Sequence, residues 1–409
     1  VSLRWPPCQP GGRTLPSFLH FAFEFSAAAV WFWVLVLIGL VWLRRHGNLN
    51  RAGQDPVLSP SDAPGSRNEL PSLSVLVAGK DEEPNIEACL TGLLAQTYPR
   101  LEVVAINDRS GDRTGEIMDR LAAGDARLKA VHVRELPAGW AGKNHAMHVG
   151  VQQATGEYLC FTDADCRYHS SDLLAAAVGF LQREKFDFLS VLPQLEAQTF
   201  WERVVQPPAG AIMVFWFPPE RVNNPASSCA YANGAFMLMR RDTYDRLGGH
   251  ENFKTALNED MHFARQAKRV GARLRVIRGG GLYSVRMYVG WRQIWRGWSR
   301  IFYGCFGTWP RLILSAAFLA VFSLSPPLSL LVSPLAGSAA GGIALAAGCT
   351  VLAQQTVLWR FYRLCAMPPT WALTYPLGAG LCFAMVCNAM TRLTGARTSW
   401  RGTSYAGGA

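Results

Sequence analysis

Tyr158-Leu159-Cys160-Phe161-Thr162 reads as a short apolar strand, and Asp163-Ala164-Asp165 follows it without a break. Two carboxylates at a strand end can meet a hard cation, whose remaining coordination positions go to phosphate oxygens and water. A metal held there neutralises a leaving diphosphate. Asp-x-Asp is also frequent in plain turns. The strand before this one, and the acids at other strand ends, set it apart.

Outward from this stretch, short apolar strands alternate with helical segments from Ser72 onward. Strands are expected at residues 73–78, 101–107, 128–133, 158–162 and 186–192, with helices at 84–96, 112–123, 143–154 and 170–182. Alternation at this spacing predicts an α/β fold, a Rossmann-like and mostly parallel sheet with helices on both faces. Ligands in such sheets bind beyond the C-terminal ends of the strands. Asp108 and Asp163 stand at two of those ends.

Asp108 precedes Ser110 and Asp112, either of which can cap the next helix, so the cap does not need Asp108. Its carboxylate is free to accept from a nucleobase or ribose. Glu82 and Glu83 precede a helix that Pro84 starts, where acids are ordinary dipole partners. Lys143 opens a helix behind Gly139-Trp140-Ala141-Gly142, an arrangement suited to a phosphate. Glu259-Asp260 begins a helix expected to run to Val270. Moving a sugar to a hydroxyl needs a base beside the attacking oxygen, and a carboxylate apart from the metal pair can serve. Trp291-Arg292-Gln293-Ile294-Trp295-Arg296-Gly297-Trp298-Ser299-Arg300 interleaves aromatics with arginines, as an interfacial helix does. Arg296 or Arg300 is also placed to face a diphosphate.

Half of the 409 residues are hydrophobic and only 17% are charged, which is apolar for a soluble enzyme. The net charge of +11 gathers beside apolar segments (Arg44, Arg45, Arg51, Arg292), which suits an anionic membrane face and not nucleic acid. The ten cysteines are scattered singly with no CxxC, as in a reducing compartment. Residues 27–43 form an uncharged run with Arg44 and Arg45 behind it, a membrane span and not a signal peptide, whose positive charges would come first. Residues 46–70 are polar and rich in Pro, Gly and Ser, so a linker is expected. Residues 312–332, 339–357 and 371–390 are three more candidate spans, the first kinked at Pro326 and Pro327. Arg360 and Arg363 put the second loop inside, and the positive-inside rule puts the soluble domain in the cytoplasm. Counting spans then sends the C-terminus outside although it carries Arg392, Arg397 and Arg401, so one segment is expected to be re-entrant or interfacial. Spans on both sides of a nucleotide-binding domain point to a lipid as the other substrate. The expected organisation is a membrane segment (1–45), a linker (46–71), a catalytic domain (72–305), membrane segments (306–392) and a tail (393–409).

Ser74-Val75-Leu76-Val77 through Glu82-Glu83-Pro84-Asn85-Ile86, Asn107-Asp108-Arg109-Ser110-Gly111-Asp112, Asp163-Ala164-Asp165, Asn233-Gly234-Ala235-Phe236, Gly248-Gly249-His250 and Glu259-Asp260 together resemble the family 2 glycosyltransferases. Gly139-Trp140-Ala141-Gly142-Lys143, Arg286-Met287-Tyr288 and the tail Ser399-Trp400-Arg401-Gly402-Thr403-Ser404-Tyr405 look most like the membrane subgroup of hopene-associated and carotenoid glycosyltransferases. The resemblance implies a GT-A fold, a nucleotide-diphosphate sugar donor such as a UDP-sugar, Mg²⁺ or Mn²⁺, and inversion at the anomeric carbon. Carried over by position, Glu82 and Asp108 contact the nucleoside, Asp163 and Asp165 serve metal and diphosphate, and Asp260 is the base. Ala78, Lys80 and Asp81 stand where the family usually has Pro, Arg and Asn, and Thr403 replaces the tail's usual Arg. The Gln-x-x-Arg-Trp of processive synthases is absent, with Gly297 where its Trp would stand. The expectation is therefore a multi-pass enzyme of the bacterial inner membrane that makes one transfer to a hopanoid, carotenoid or other isoprenoid or glycolipid acceptor. The rivals are a processive polysaccharide synthase and a non-catalytic membrane scaffold.

Overall fold

The computed structural model describes residues 17–393, 398–400 and 403–405. Arg397 and Arg401 of the tail lie outside the described residues. Helix α1 (Ser17–Gln54) leads into β1 (Leu73–Gly79), α2 (Glu83–Leu94), β2 (Leu101–Asp108), α3 (Thr114–Gly124), β3 (Leu128–Val133), α4 (Gly142–Gln153) and β4 (Tyr158–Asp163). Then come β5 (Cys166–Tyr168), α5 (Leu173–Arg183), β6 (Phe188–Leu192), β7 (Gln194–Leu195), α6 (Phe200–Trp216) and α7 (Pro219–Val222). They are followed by β8 (Phe236–Arg240), α8 (Arg241–Arg246), α9 (Glu259–Arg269), β9 (Leu274–Arg278), β10 (Tyr283–Val285) and α10 (Trp291–Phe306). Last are α11 (Trp309–Phe318), α12 (Ser325–Val332), α13 (Ala340–Leu364), α14 (Tyr375–Leu393), β11 (Thr398–Trp400) and β12 (Thr403–Tyr405).

Seven strands form one sheet in the order β3-β2-β1-β4-β8-β6-β9. The pairs β1/β2, β2/β3, β1/β4 and β6/β9 are parallel, and β8 runs against β4 and β6. This is the expected α/β class with a mostly parallel sheet. Strand β1 is a continuous apolar run because it is covered on both faces. Residues of α2, α3 and α5 bury one face, and those of α4 and α9 the other. Parallel order brings the C-terminal ends of β1, β2 and β4 to one edge, and Asp108 and Asp163 with them. A second small sheet, β5-β10-β7, starts just after Asp165.

The segment with linker-like composition is anchored instead. Helix α1 continues through Gln54. Val57 then bridges Arg278, and the Leu58 amide donates to the Arg278 carbonyl at 2.9 Å. Leu58 is buried in the core against the sheet. Polar composition reported solvent contact here but not the backbone pairing.

Four helices or helix runs are long and apolar enough to cross a membrane: Ser26–Gln54, Trp309–Leu335, Gly337–Leu364 and Pro369–Leu393. The second passes through a π-helical turn, Leu319–Leu324, just before Pro326 and Pro327. Prolines there lack the N–H groups that would bond the carbonyls of Phe322 and Ser323. Trp42 Nε1 donates to Phe322 O at 2.8 Å, and Gln354 Nε2 lies 3.4 Å from both carbonyl oxygens. Neighbouring helices thus satisfy what the kink exposes. Helix α14 packs on α6: a Cβ added at Gly378 would come 2.2 Å from the Val204 carbonyl, so only glycine permits the contact.

Candidate active site

Strand β4 delivers Asp163 to the sheet edge, and Lys143 reaches it from the first turn of α4. The Lys143 ammonium stands 2.6 Å from Asp163 Oδ1 and 2.7 Å from Glu259 Oε1. Burial penalises the ammonium, but the two carboxylates outweigh it and push the lysine pKa up. The expected phosphate ligand is thus a clamp between β4 and α9 in the free protein.

Asp165 has a buried Oδ1 with no hydrogen-bond partner. Burial, then Asp163 and Glu82, push its pKa up to about 7. A buried orphan carboxylate oxygen beside a second carboxylate is a donor set that a hard divalent cation fits. Asp163 and Asp165 would hold such an ion, which would supply positive charge to a departing diphosphate. Among the described residues no three His, Cys, Asp or Glu side chains gather into a metal cage, so the ion's remaining positions would fall to substrate oxygens and water.

Asp108 closes β2 and is 3% exposed. Arg109, in a left-handed conformation at φ 56°, folds back and donates to both of its oxygens, at 2.8 and 3.1 Å. Each oxygen keeps a lone pair that can accept a further hydrogen bond. Glu82 caps α2 at 7% exposure, its amide donating to Thr114 Oγ1 and its Oε2 accepting from Asn85.

Asp260 sits in the first turn of α9. The Gly234 amide donates to its Oδ2 at 3.0 Å and the Met261 amide to its Oδ1 at 2.7 Å. Burial, then the Glu259 charge, still push its pKa up to about 7. Helix α10 fixes where α9 begins: a Cβ at Gly304 would lie 2.4 Å from Asn258 Oδ1, and Asn258 Nδ2 donates to Cys305 Sγ at 3.3 Å.

Glu82, Asp108, Lys143, Asp163, Asp165 and Asp260 all line one cavity of about 770 Å³. Arg300 lines it too, and its guanidinium donates to Tyr288. Arg296 faces out of α10, so of the two arginines weighed only Arg300 is placed here. Sequence reasoning missed the Lys143 pairing of Glu259, the Gly234 amide and Tyr288. The Asn-Gly before β8 and the Arg-x-Tyr before α10 were visible, but not what they would touch.

Residues 74–248 match the family model described as Glycosyl transferase family 2. The 4,4'-diaponeurosporenoate glycosyltransferase of Staphylococcus haemolyticus is 24% identical over 252 residues, covering 59% of this chain and 64% of that protein. The Beta-monoglucosyldiacylglycerol synthase of Trichormus variabilis is 30% identical over 187 residues, covering 45% of this chain and 38% of the synthase. A solved mannosyltransferase, PcManGT from Pyrobaculum calidifontis in complex with GDP-Man and Mn2+, is 21% identical with a TM-score of 0.49, covering 90% of this chain and 99% of that one. The chain spans 39%, 28% and 64% of the lengths of three curated relatives that it matches.

Proposed function

From the family 2 glycosyltransferase domain that this chain carries, we propose that the protein moves one sugar from a UDP-sugar to a membrane lipid at the cytosolic face, with inversion. One observation carries this reading: a single cavity holds the Asp163–Asp165 pair at one strand end and, apart from it, a buried Asp260 whose pKa lies near neutrality. A divalent cation on the pair would offset diphosphate charge. Asp260 takes the proton of the acceptor hydroxyl as its oxygen attacks the anomeric carbon. The bond from that carbon to the diphosphate oxygen breaks, and its electron pair leaves with UDP. Lys143 moves from Asp163 to the diphosphate and stabilises the charge that develops there.

The lipid acceptor is supported by the four apolar helices around the domain and by the lipids named in two relatives. Arg44 and Arg45, just behind the apolar stretch of α1, and Arg360 and Arg363, near the end of α13, support a cytosolic active face. The test is metal-dependent UDP release by detergent-purified protein from a panel of UDP-sugars, with and without total membrane lipid. Release that needs lipid and disappears in Asp163→Ala supports the proposal. No release with any donor, and no nucleotide binding by calorimetry, would leave a non-catalytic scaffold.

A further inference from the structure

The cavity that holds the carboxylates does not end at them. Its other wall is apolar and comes from three helices at residues three apart: Leu49 and Ala52 of α1, Gly210 and Met213 of α6, Phe361 and Leu364 of α13. Each pair shares one helix face. The α1 and α13 pairs belong to the last turns of two candidate membrane spans. The catalytic cavity is therefore continuous with helices that are built for the bilayer.

Gly210 shows what this wall is for. Glycine within a helix is less favourable than alanine. A Cβ at Gly210 would nonetheless meet no heavy atom within 4 Å, although its neighbour Ala209 is fully buried. The open side of Gly210 faces the cavity, and any larger side chain would fill it. One turn earlier Gln206 lines the same cavity at 1% exposure. Its Nε2 reaches the Glu196 carbonyl, while its buried Oε1 has no partner. An orphan acceptor in an apolar wall fits a ligand that is mostly hydrocarbon and carries a hydroxyl.

A second pocket abuts this wall between α1 and α13. Leu49 and Leu364 also line this more open pocket of about 520 Å³ with Arg360 and Arg363. Arg360 ties the helices together there through Asn50 Oδ1 at 2.5 Å and His46 Nδ1 at 2.9 Å. Leu49 and Leu364 thus stand between the two pockets.

We infer that the acceptor's apolar chain is swallowed into the protein: it passes between the cytosolic ends of α1 and α13, past Leu49 and Leu364, and lies along the Gly210 face of α6, with Gln206 receiving its hydroxyl on docking, before that hydroxyl turns to Asp260. This rests on the lipid-acceptor reading of the site. The ligand chemistry is a long hydrocarbon chain ending in a hydroxyl, which either an isoprenoid alcohol or a diacylglycerol provides.

Two photoreactive probes test this on the full chain in detergent: a diazirine-bearing C20 isoprenoid alcohol and a diazirine-bearing diacylglycerol. Cross-links are mapped by mass spectrometry. The expected result is labelling of residues 49–52, 210–217 and 361–367 by at least one probe, the better one naming the lipid class, and a fall of at least fivefold in Gly210→Trp. Gly210→Leu, a smaller plug, serves if the tryptophan variant does not fold. Labelling confined to outward-facing residues such as Leu331 and Leu335, equal in wild type and variants, would overturn the inference. UDP binding with Mn²⁺, measured on the same wild-type protein, separates the two claims. Absent binding would remove the UDP-sugar reading on which the inference rests, whereas intact binding with only outward labelling would remove the chain-binding wall alone.

Discussion

Lys143 Nζ lies 2.6 Å from Asp163 Oδ1, so in the free protein one oxygen of the carboxylate pair already faces a positive charge supplied by the chain itself. A divalent cation arriving alone must share Asp163 with that ammonium. A cation arriving with a diphosphate gives the ammonium somewhere to go. Removing the lysine charge should therefore tighten binding of metal alone and weaken binding of UDP. In Lys143→Met we expect Mn²⁺ affinity without nucleotide to rise about tenfold, on the order of 1.4 kcal/mol, and UDP affinity to fall by a similar factor. Titration of free Mn²⁺ by electron paramagnetic resonance reads the first, and calorimetry the second. Unchanged Mn²⁺ affinity would mean that the ammonium does not compete.

Asp260 gives the activity a pH limb and a mutational signature. Burial, then Glu259, hold its pKa at about 7. A base must be deprotonated to work, so turnover should fall as pH drops below about 7, by up to about tenfold per unit. Asp260→Asn cannot take a proton and should lose about 10²- to 10⁴-fold with a hydroxyl acceptor. An acceptor that is already anionic would show only a mild loss. A flat profile between pH 5.5 and 7.5 in the wild type would remove Asp260 from the proton transfer.

The first four strands and their helices were legible because apolar runs and turn residues are local signals, and β1 to β4 fall within two residues of their expected ends. Strand β8 was not expected. Phe236-Met237-Leu238-Met239 is an unbroken apolar run without alternation, and only its pairing with β4 and β6 makes it a strand. The acids were legible one by one, and the cavity that joins them was not. Lys143 meets Glu259 across 116 positions because α4 and α9 pack on the same face of the sheet, which no spacing encodes. The helical continuation of residues 46–54 was hidden for a similar reason: His46 and Asn50 are polar, but they face Arg360 of α13.

His250 ties stability to pH. It is fully buried, its backbone amide donates to the Tyr244 hydroxyl, and that hydroxyl also hydrogen-bonds with Nδ1. Gly248 and Gly249, at φ 86° and 58°, make the turn that puts it there. Burial, then the charges of Lys143 and His148, lower its pKa to about 3. An unfolded histidine titrates near 6.5. Between those values the unfolded chain binds a proton that the folded chain refuses, so stability falls as pH drops from 6.5 toward 3, by up to about 1.4 kcal/mol per unit. Asp165 and Asp260 act oppositely. With pKa values of about 7 when folded, they keep protons that the unfolded chain releases above about 4, so their share grows as pH falls from 7 toward 4. His250→Phe removes only the first contribution. Its thermal midpoint should fall less than that of the wild type between pH 7.5 and 5.5. Equal shifts in both proteins would show that His250 is not the acid-sensitive group.

Span count and charge meet at helix α14. By length and composition it qualifies as a span, which would put Arg392 opposite Arg44, Arg45, Arg360 and Arg363. Its packing argues otherwise. Gly378 abuts the Val204 carbonyl and Cys382 Sγ lies 3.9 Å from Val205 O, so α14 runs along α6, the helix that lines the catalytic cavity. At its far end Arg392 lies close enough to Arg300, another residue of that cavity, for the two like charges to repel. A last turn on the side where that cavity opens would satisfy the positive-inside rule at Arg392. A green fluorescent protein fused at the C-terminus should therefore fluoresce, and alkaline phosphatase fused at the same position should be inactive. The reverse pattern would make α14 a true span and leave Arg392 as an exception to the rule.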